Sequence, residues 1–230
     1  MTYEAEGGVA VVRIDDGKAN AISPDVADAL DEAVARAESD ARALMLVGRP
    51  GRFSAGFDLS HMKSGDEPAQ SLVAAGARLA MRIYGLGIPT VAACSGHAVA
   101  MGALLLLSCD TRLAATGEFR IGLNEVAIGL GLPVFAVELA RDRLDPRRFA
   151  EATMQAQLYD PDAAAEVGFV DRVVMADVLE ADALAVAARL AELRTGAYLH
   201  TKVRARQRTI DRVLDTLDDD VTTVSFGTAT

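Results

Sequence analysis

A layered α/β fold with a mainly parallel sheet, followed by a C-terminal helical appendage, is what the sequence predicts, and three observations predict it. Strand and helix patterns alternate as far as Val174, which is the signature of successive β-α-β units. The run Ala43-Leu44-Met45-Leu46-Val47 is continuously apolar, as a strand covered on both faces by helices must be. Beyond Val174 no strand pattern remains, and two helices follow.

Val9-Ala10-Val11-Val12-Arg13-Ile14 reads as a strand that Asp15-Asp16-Gly17-Lys18 breaks. A helix comes next: Ser23 can cap it, Pro24 suits its first position, and Val26, Leu30 and Val34 recur at four-residue spacing. With the strand at 43–47 this makes one β-α-β unit. A helix from about Ala69 to Tyr84, a strand at Thr90 to Ala93, a helix beginning near Gly102 and a strand from Asp110 to Ala114 continue the alternation. Asp177 to Leu193 and Tyr198 to Leu217 are the two terminal helices. The expected organisation is a core over residues 1–175 and an appendage over residues 176–230, with no sequence repeat, low-complexity segment or long linker.

Of the 230 residues 51% are hydrophobic and 24% charged, enough apolar material for a substantial core. A net charge of -10 argues against nucleic acid or an anionic membrane surface as partner, because the global field repels both. The N-terminus carries no basic start or apolar run of the kind that directs export. Thr90 to Cys109 approaches the length of a membrane span, but Ser95-Gly96-His97 and Gly102 interrupt it and Pro89 precedes it, so a buried strand, a turn and a buried helix are expected. Cys94 and Cys109 fall inside these apolar segments without ligand-like spacing, which suits buried thiols and a reducing cytoplasm. His61, His97 and His200 are scattered, and no metal cluster is expected.

Three segments carry candidate chemistry, each where a strand gives way to a turn, the place where open α/β sheets put ligands. In Phe53-Ser54-Ala55-Gly56-Phe57-Asp58-Leu59 the small Ala55 and Gly56 let the main chain approach a ligand. In Gly96-His97-Ala98-Val99-Ala100-Met101-Gly102-Ala103 a turn feeds a helix, whose first amides favour negative charge, so the Met101 amide is a candidate oxyanion donor. Taken singly, each segment serves equally well as a plain turn. In Ile121-Gly122-Leu123-Asn124-Glu125-Val126-Ala127-Ile128-Gly129-Leu130-Gly131-Leu132-Pro133 a single carboxylate, Glu125, stands in apolar sequence, where desolvation raises its pKa toward a range useful for proton transfer; the alternative is a solvated glutamate at a turn.

Together, and in this order, the segments resemble the crotonase, or enoyl-CoA hydratase/isomerase, superfamily, with its FxAGxDL loop, its Gly-rich turn into a helix and a glutamate some 20 to 25 residues beyond that turn; the similarity runs from about Val9 to Val174. The resemblance implies a crotonase-like layered β-β-α spiral. It also implies an acyl-CoA substrate whose thioester oxygen is bound by the amides of Ala55 and Met101, with Glu125 as acid/base. Lys18-Ala19-Asn20-Ala21 would be the coenzyme A loop, Phe57 to Leu59, Asp58 included, would border the adenine pocket, and Ala55, Gly56, Met101 and Leu104 would also bind the acyl-CoA. No cofactor is implied beyond the coenzyme A of the substrate.

Two departures from the family pattern bear on the reaction. Leu104 stands where hydratases of the family carry a second glutamate, so double-bond isomerisation is favoured over hydration, with hydration and non-catalytic acyl-CoA binding left open. Met101 replaces the usual glycine, which keeps the amide and is expected to narrow the pocket. A peptidase of the related Clp type would need a serine at Ala100. For the phosphates of coenzyme A, Lys18, Arg49, Arg52 and Lys63 lie in or beside the ligand loops. Arg204, Arg208 and Arg212, with Lys202 and Arg206 nearby, form a basic helical face that meets solvent, phosphates or a neighbouring subunit, since the resemblance implies homotrimers or paired trimers.

Overall fold

The computed structural model describes residues 1–224. Strands β1 (Thr2–Glu6) and β2 (Val9–Ile14) form an antiparallel hairpin. Its turn, Gly7-Gly8, has φ of +61° and +81°, the left-handed values that a two-residue hairpin turn demands. The first strand was not expected, although the Gly-Gly pair announces it. There follow β3 (Ala21–Ile22), α1 (Pro24–Asp40), β4 (Ala43–Gly48), β5 (Gly51–Ser54), β6 (Gly56–Phe57), α2 (Leu59–Met62), α3 (Asp66–Gly85), β7 (Thr90–Cys94), β8 (Gly96–Val99) and α4 (Met101–Ser108). Next come β9 (Thr111–Ala115), β10 (Ile121–Gly122), a 3-10 turn (Val126–Ile128), α5 (Val134–Arg143), α6 (Phe149–Thr153), α7 (Pro161–Val167), β11 (Arg172–Val174), α8 (Leu179–Ala191) and α9 (Thr195–Val221). Helix α1 starts as expected, Ser23 Oγ accepting from the Val26 amide at 3.3 Å with Pro24 in the first turn.

A six-stranded sheet runs in the order β1-β2-β4-β7-β9-β11, parallel except at the hairpin, and a three-stranded parallel sheet runs β10-β8-β5. The chain thus makes three turns of a β-β-α spiral: β4, β5 and α3, then β7, β8 and α4, then β9, β10 and α5. The short second strands carry too few residues to show a period in sequence, so Gly96–Val99, expected as a turn, is a strand.

Both faces of the large sheet are covered, as the apolar run in β4 requires; all six of its residues are buried. Leu179, Ala183 and Ala187 of α8 pack on one face against Val9, Met45, Val47 and Val91. On the other, Leu30 and Val34 of α1, Leu72 and Leu79 of α3 and the whole of α4 bury Val12, Leu44, Leu46 and Ala92. Cys94 and Cys109 are buried free thiols, both pushed up to about 12 by desolvation. Among the described residues no helix is long and apolar enough to cross a membrane.

Helix α9 is fastened to this core by Asp110, which follows α4 and is only 12% exposed. Its carboxylate accepts from the Thr90 amide at 2.7 Å, Thr90 Oγ1 at 2.9 Å and Lys202 Nζ at 2.9 Å, and also from Tyr198 and Arg206. Lys202 and Arg206 are therefore spent inside the subunit and are not part of the outward basic face expected of the tail. Arg204, Arg208 and Arg212 do stand exposed.

Candidate active site

The site forms where the 53–59 loop is pressed onto the N-terminus of α4. A Cβ on Gly102 would lie 2.4 Å from the Ser54 carbonyl oxygen, so the first turn of α4 can seat there only as glycine. Gly56 has a φ of +91°, and a Cβ on it would lie 2.9 Å from that of Ala100 and 3.3 Å from the Met101 nitrogen. Ala100 itself turns the chain into α4 with a φ of +53°, a strained value for a residue with a side chain.

This geometry leaves the Met101 amide at the head of α4, and no hydrogen bond engages it among the described residues. The Ala55 amide is differently placed: it donates to the Ala19 carbonyl at 3.1 Å. Of the two amides named as oxyanion donors, one is free and one is tied to the loop that would hold coenzyme A.

Glu125 stands at the head of the 3-10 turn, its carbonyl accepting from the amides of Ile128 at 3.0 Å and Leu130 at 2.9 Å. Its Oε2 is buried with no hydrogen-bond partner among the described residues. Desolvation pushes the carboxyl up to about 7, although the amides of Glu125 and Asn124 pull the other way. The expected perturbation is therefore present, and its cause is burial.

A cavity of about 170 Å³ is walled by Ala55, Phe57, Leu59, Ala100, Leu104 and Glu125 from the segments read in the sequence. Sequence reasoning did not single out Met62, Val73, Phe135, Thr223 and Val224, which complete it from four other elements or their ends. Asn124 and the stretch Ile128 to Pro133, quoted only as neighbours of Glu125, also form wall. Phe57 and Leu59, which the resemblance put beside an adenine pocket, line this largely apolar cavity. Lys18, Ala19, Ala21, Gly56 and Asp58 lie outside its lining; Asp58 caps α2 through the Ser60 amide at 2.8 Å.

Met101 does not narrow the pocket as expected. Its side chain is fully buried and outside the cavity lining. It runs under α3 to Gly76, where the missing side chain makes room: a Cβ there would lie 3.4 Å from Met101 Cε and 2.4 Å from Phe57 Cζ. Leu104 does face the cavity, so that part of the wall is hydrocarbon. Of the proposed cations, Arg49 donates to the Lys18 carbonyl at 2.9 Å and lies 4.0 Å from Asp15, which stiffens the 15–18 loop. Among the described residues no three His, Cys, Asp or Glu side chains converge to hold a metal ion.

Known proteins are similar to this chain in sequence and fold. A sequence model of the family described as enoyl-CoA hydratase/isomerase matches residues 4–222. Human mitochondrial enoyl-CoA delta isomerase 1 is 32% identical over 224 residues, 95% of this chain and 74% of the human one. A putative enoyl-CoA hydratase of Thermus thermophilus is 34% identical over 180 residues, 75% of this chain and 70% of that protein. The solved structure of an enoyl-CoA hydratase/isomerase family protein from Pseudomonas syringae superposes with a TM-score of 0.95 at 42% identity, covering 97% of each chain.

Proposed function

This chain belongs to the enoyl-CoA hydratase/isomerase family, and from that premise we propose that it moves the double bond of a 3-enoyl-CoA to position 2 with Glu125 as its single acid/base. The observation that carries the reading is the pairing of one desolvated carboxyl, Glu125, with a hydrocarbon wall that includes Leu104. Hydration asks for a water activated by two carboxylates in the family's hydratases, and here one is missing. Migration asks for one group that takes a proton from C2 and returns one to C4.

In this reading ionised Glu125 accepts the C2 proton, the C2–H electrons move into the thioester, and negative charge collects on its oxygen. The Met101 amide and the start of α4 meet that charge; an amide donor of this kind lowers the barrier by about 3 kcal/mol. The Ala55 amide joins by turning from the Ala19 carbonyl to the thioester oxygen, so the 18–21 loop and the oxyanion donors shift together. Reprotonation at C4 by Glu125 gives the conjugated 2-enoyl-CoA, and no cofactor beyond the coenzyme A of the substrate takes part. The desolvated site makes both proton transfers effective at neutral pH.

The same reading includes assembly into trimers or paired trimers. Leu193, Leu199 and Val203, exposed around the junction of α8 and α9, supply apolar surface for it, and light scattering of the purified protein checks the mass. Buried Cys94 and Cys109 suit a cytoplasmic setting.

The deciding assay offers 3-enoyl-CoA and 2-enoyl-CoA in parallel and follows migration and water addition separately. Migration without hydration is expected, falling by about 10³-fold or more in Glu125→Gln while acyl-CoA binding persists. Hydration dependent on Glu125 would replace this reading with that of a hydratase, as the Thermus relative is named, and binding without turnover would leave an acyl-CoA carrier.

A further inference from the structure

Thr223 and Val224 wall the cavity that holds Glu125, although they come from the far end of the described chain, just beyond α9. Their position is held by a specific contact. Helix α5 begins after Pro133, whose side chain offers no oxygen to cap it. Asp220, in the last turn of α9, supplies the missing acceptor: its Oδ2 takes the Val134 amide hydrogen at 2.7 Å. A carboxylate at a helix N-terminus satisfies an orphan donor and lies at the favourable end of the helix dipole.

That one bond joins the end of α9 to the Leu130–Pro133 stretch, which is itself cavity wall. The end of α9 is further shaped by the hydroxyls of Thr222 and Thr223, which donate to the carbonyls of Asp219 and Asp220 at 2.7 Å each. Gln70 Nε2 reaches the Val224 carbonyl from α3 at 3.4 Å. The surface pair Arg78–Asp218 at 3.3 Å is exposed and adds little. Val224 meets the cavity beside Val73, Leu132 and Phe135, so this part of the wall is hydrocarbon.

We propose that the segment just beyond α9 is the closing wall of the acyl pocket and that Asp220, in the last turn of the helix, is its latch, so that the chain itself sets the longest acyl group its site accepts. This rests on the acyl-thioester reading above and adds to it a length limit enforced in cis. Val224 is the specificity-determining side chain, and Asp220 is a positioning residue that acts through the Val134 amide. Each methylene admitted to an apolar pocket raises affinity about fourfold, so the limit shows as a break in a chain-length series.

The test needs binding and no turnover: calorimetric titration with saturated acyl-CoAs from butanoyl to hexadecanoyl. Wild-type affinity is expected to climb about fourfold per methylene and then level or fall. Val224→Gly and Asp220→Ala each move the break to longer chains, and Asp220→Asn, which keeps an accepting oxygen, restores the wild-type break. A general loss of folding lowers all affinities without moving the break, so the series separates latch from scaffold. Superimposed profiles for wild type, Val224→Gly and Asp220→Ala would overturn the latch alone; failure of every acyl-CoA to bind would overturn the acyl-thioester reading and the latch with it.

Discussion

Glu125 keeps a buried carboxyl oxygen without a hydrogen-bond partner among the described residues, an arrangement that costs about 1 to 3 kcal/mol. The sign of its effect on stability follows from its pKa, raised to about 7 by desolvation. Below the ordinary glutamate range both folded and unfolded chains are protonated there, and the group is neutral in its effect. Between that range and about 7 the unfolded chain has released a proton that the folded chain still holds, so stability falls as pH rises, and above about 7 the full penalty stands. Glu125→Gln is therefore expected to stabilise the protein by on the order of 2 to 3 kcal/mol at about pH 8 and by little near pH 4. Urea unfolding at the two pH values checks this. The same carboxyl acts as base only when ionised, so kcat/KM for migration should rise through about pH 7; a flat profile would remove Glu125 from the base's role. The residue and its apolar setting were legible in the sequence, because Glu125 is flanked by the apolar residues that desolvate it.

Among elements, the decisive contact is between the 53–59 loop and α4. Gly56 and Gly102 let two backbones approach more closely than any side chain permits, and both glycines could be picked out as small residues beside a turn. What they approach could not, since the two segments are brought together by the β5-β8 pairing, and strands of four residues carry no readable period. Gly56→Ala puts a methyl 2.9 Å from Ala100 and imposes a side chain on a φ of +91°. The expected result is a loss of about 1 to 3 kcal/mol in stability, and a fall of about 10²-fold in kcat as Met101 and Ala55 are pushed out of register. Circular dichroism and steady-state kinetics measure the two effects separately. If kcat survives the substitution, the close approach is packing alone.

At the scale of the whole molecule, Asp110 ties the C-terminal helix to the sheet end of the core. Desolvation opposes its ionisation, but Lys202, Arg206 and the Tyr198 hydroxyl outweigh burial and hold it below the usual carboxylate range. A carboxyl so depressed contributes stability that is present above its unfolded pKa and lost as acid protonates the folded state. Asp110→Asn leaves the buried Lys202 and the largely buried Arg206 unbalanced, and a cost of about 3 kcal/mol is expected near neutral pH, shrinking in acid; a shift in the midpoint of urea unfolding that is the same at neutral and acid pH would mean the charge is immaterial. Lys202 and Arg206 look in sequence like members of a basic stripe, because helical spacing shows which residues share a face and not what lies opposite. The alternation of elements, the doubly covered β4, the three cavity-facing segments and the family are all readable in the chain, since each depends on residues close together in it. Folding in three dimensions is what turns Met101 away under Gly76, has Ala19 hold the Ala55 amide, and brings the end of α9 into the wall around Glu125. Those facts are contacts between distant segments, and their partners are chosen by packing, which no local pattern records.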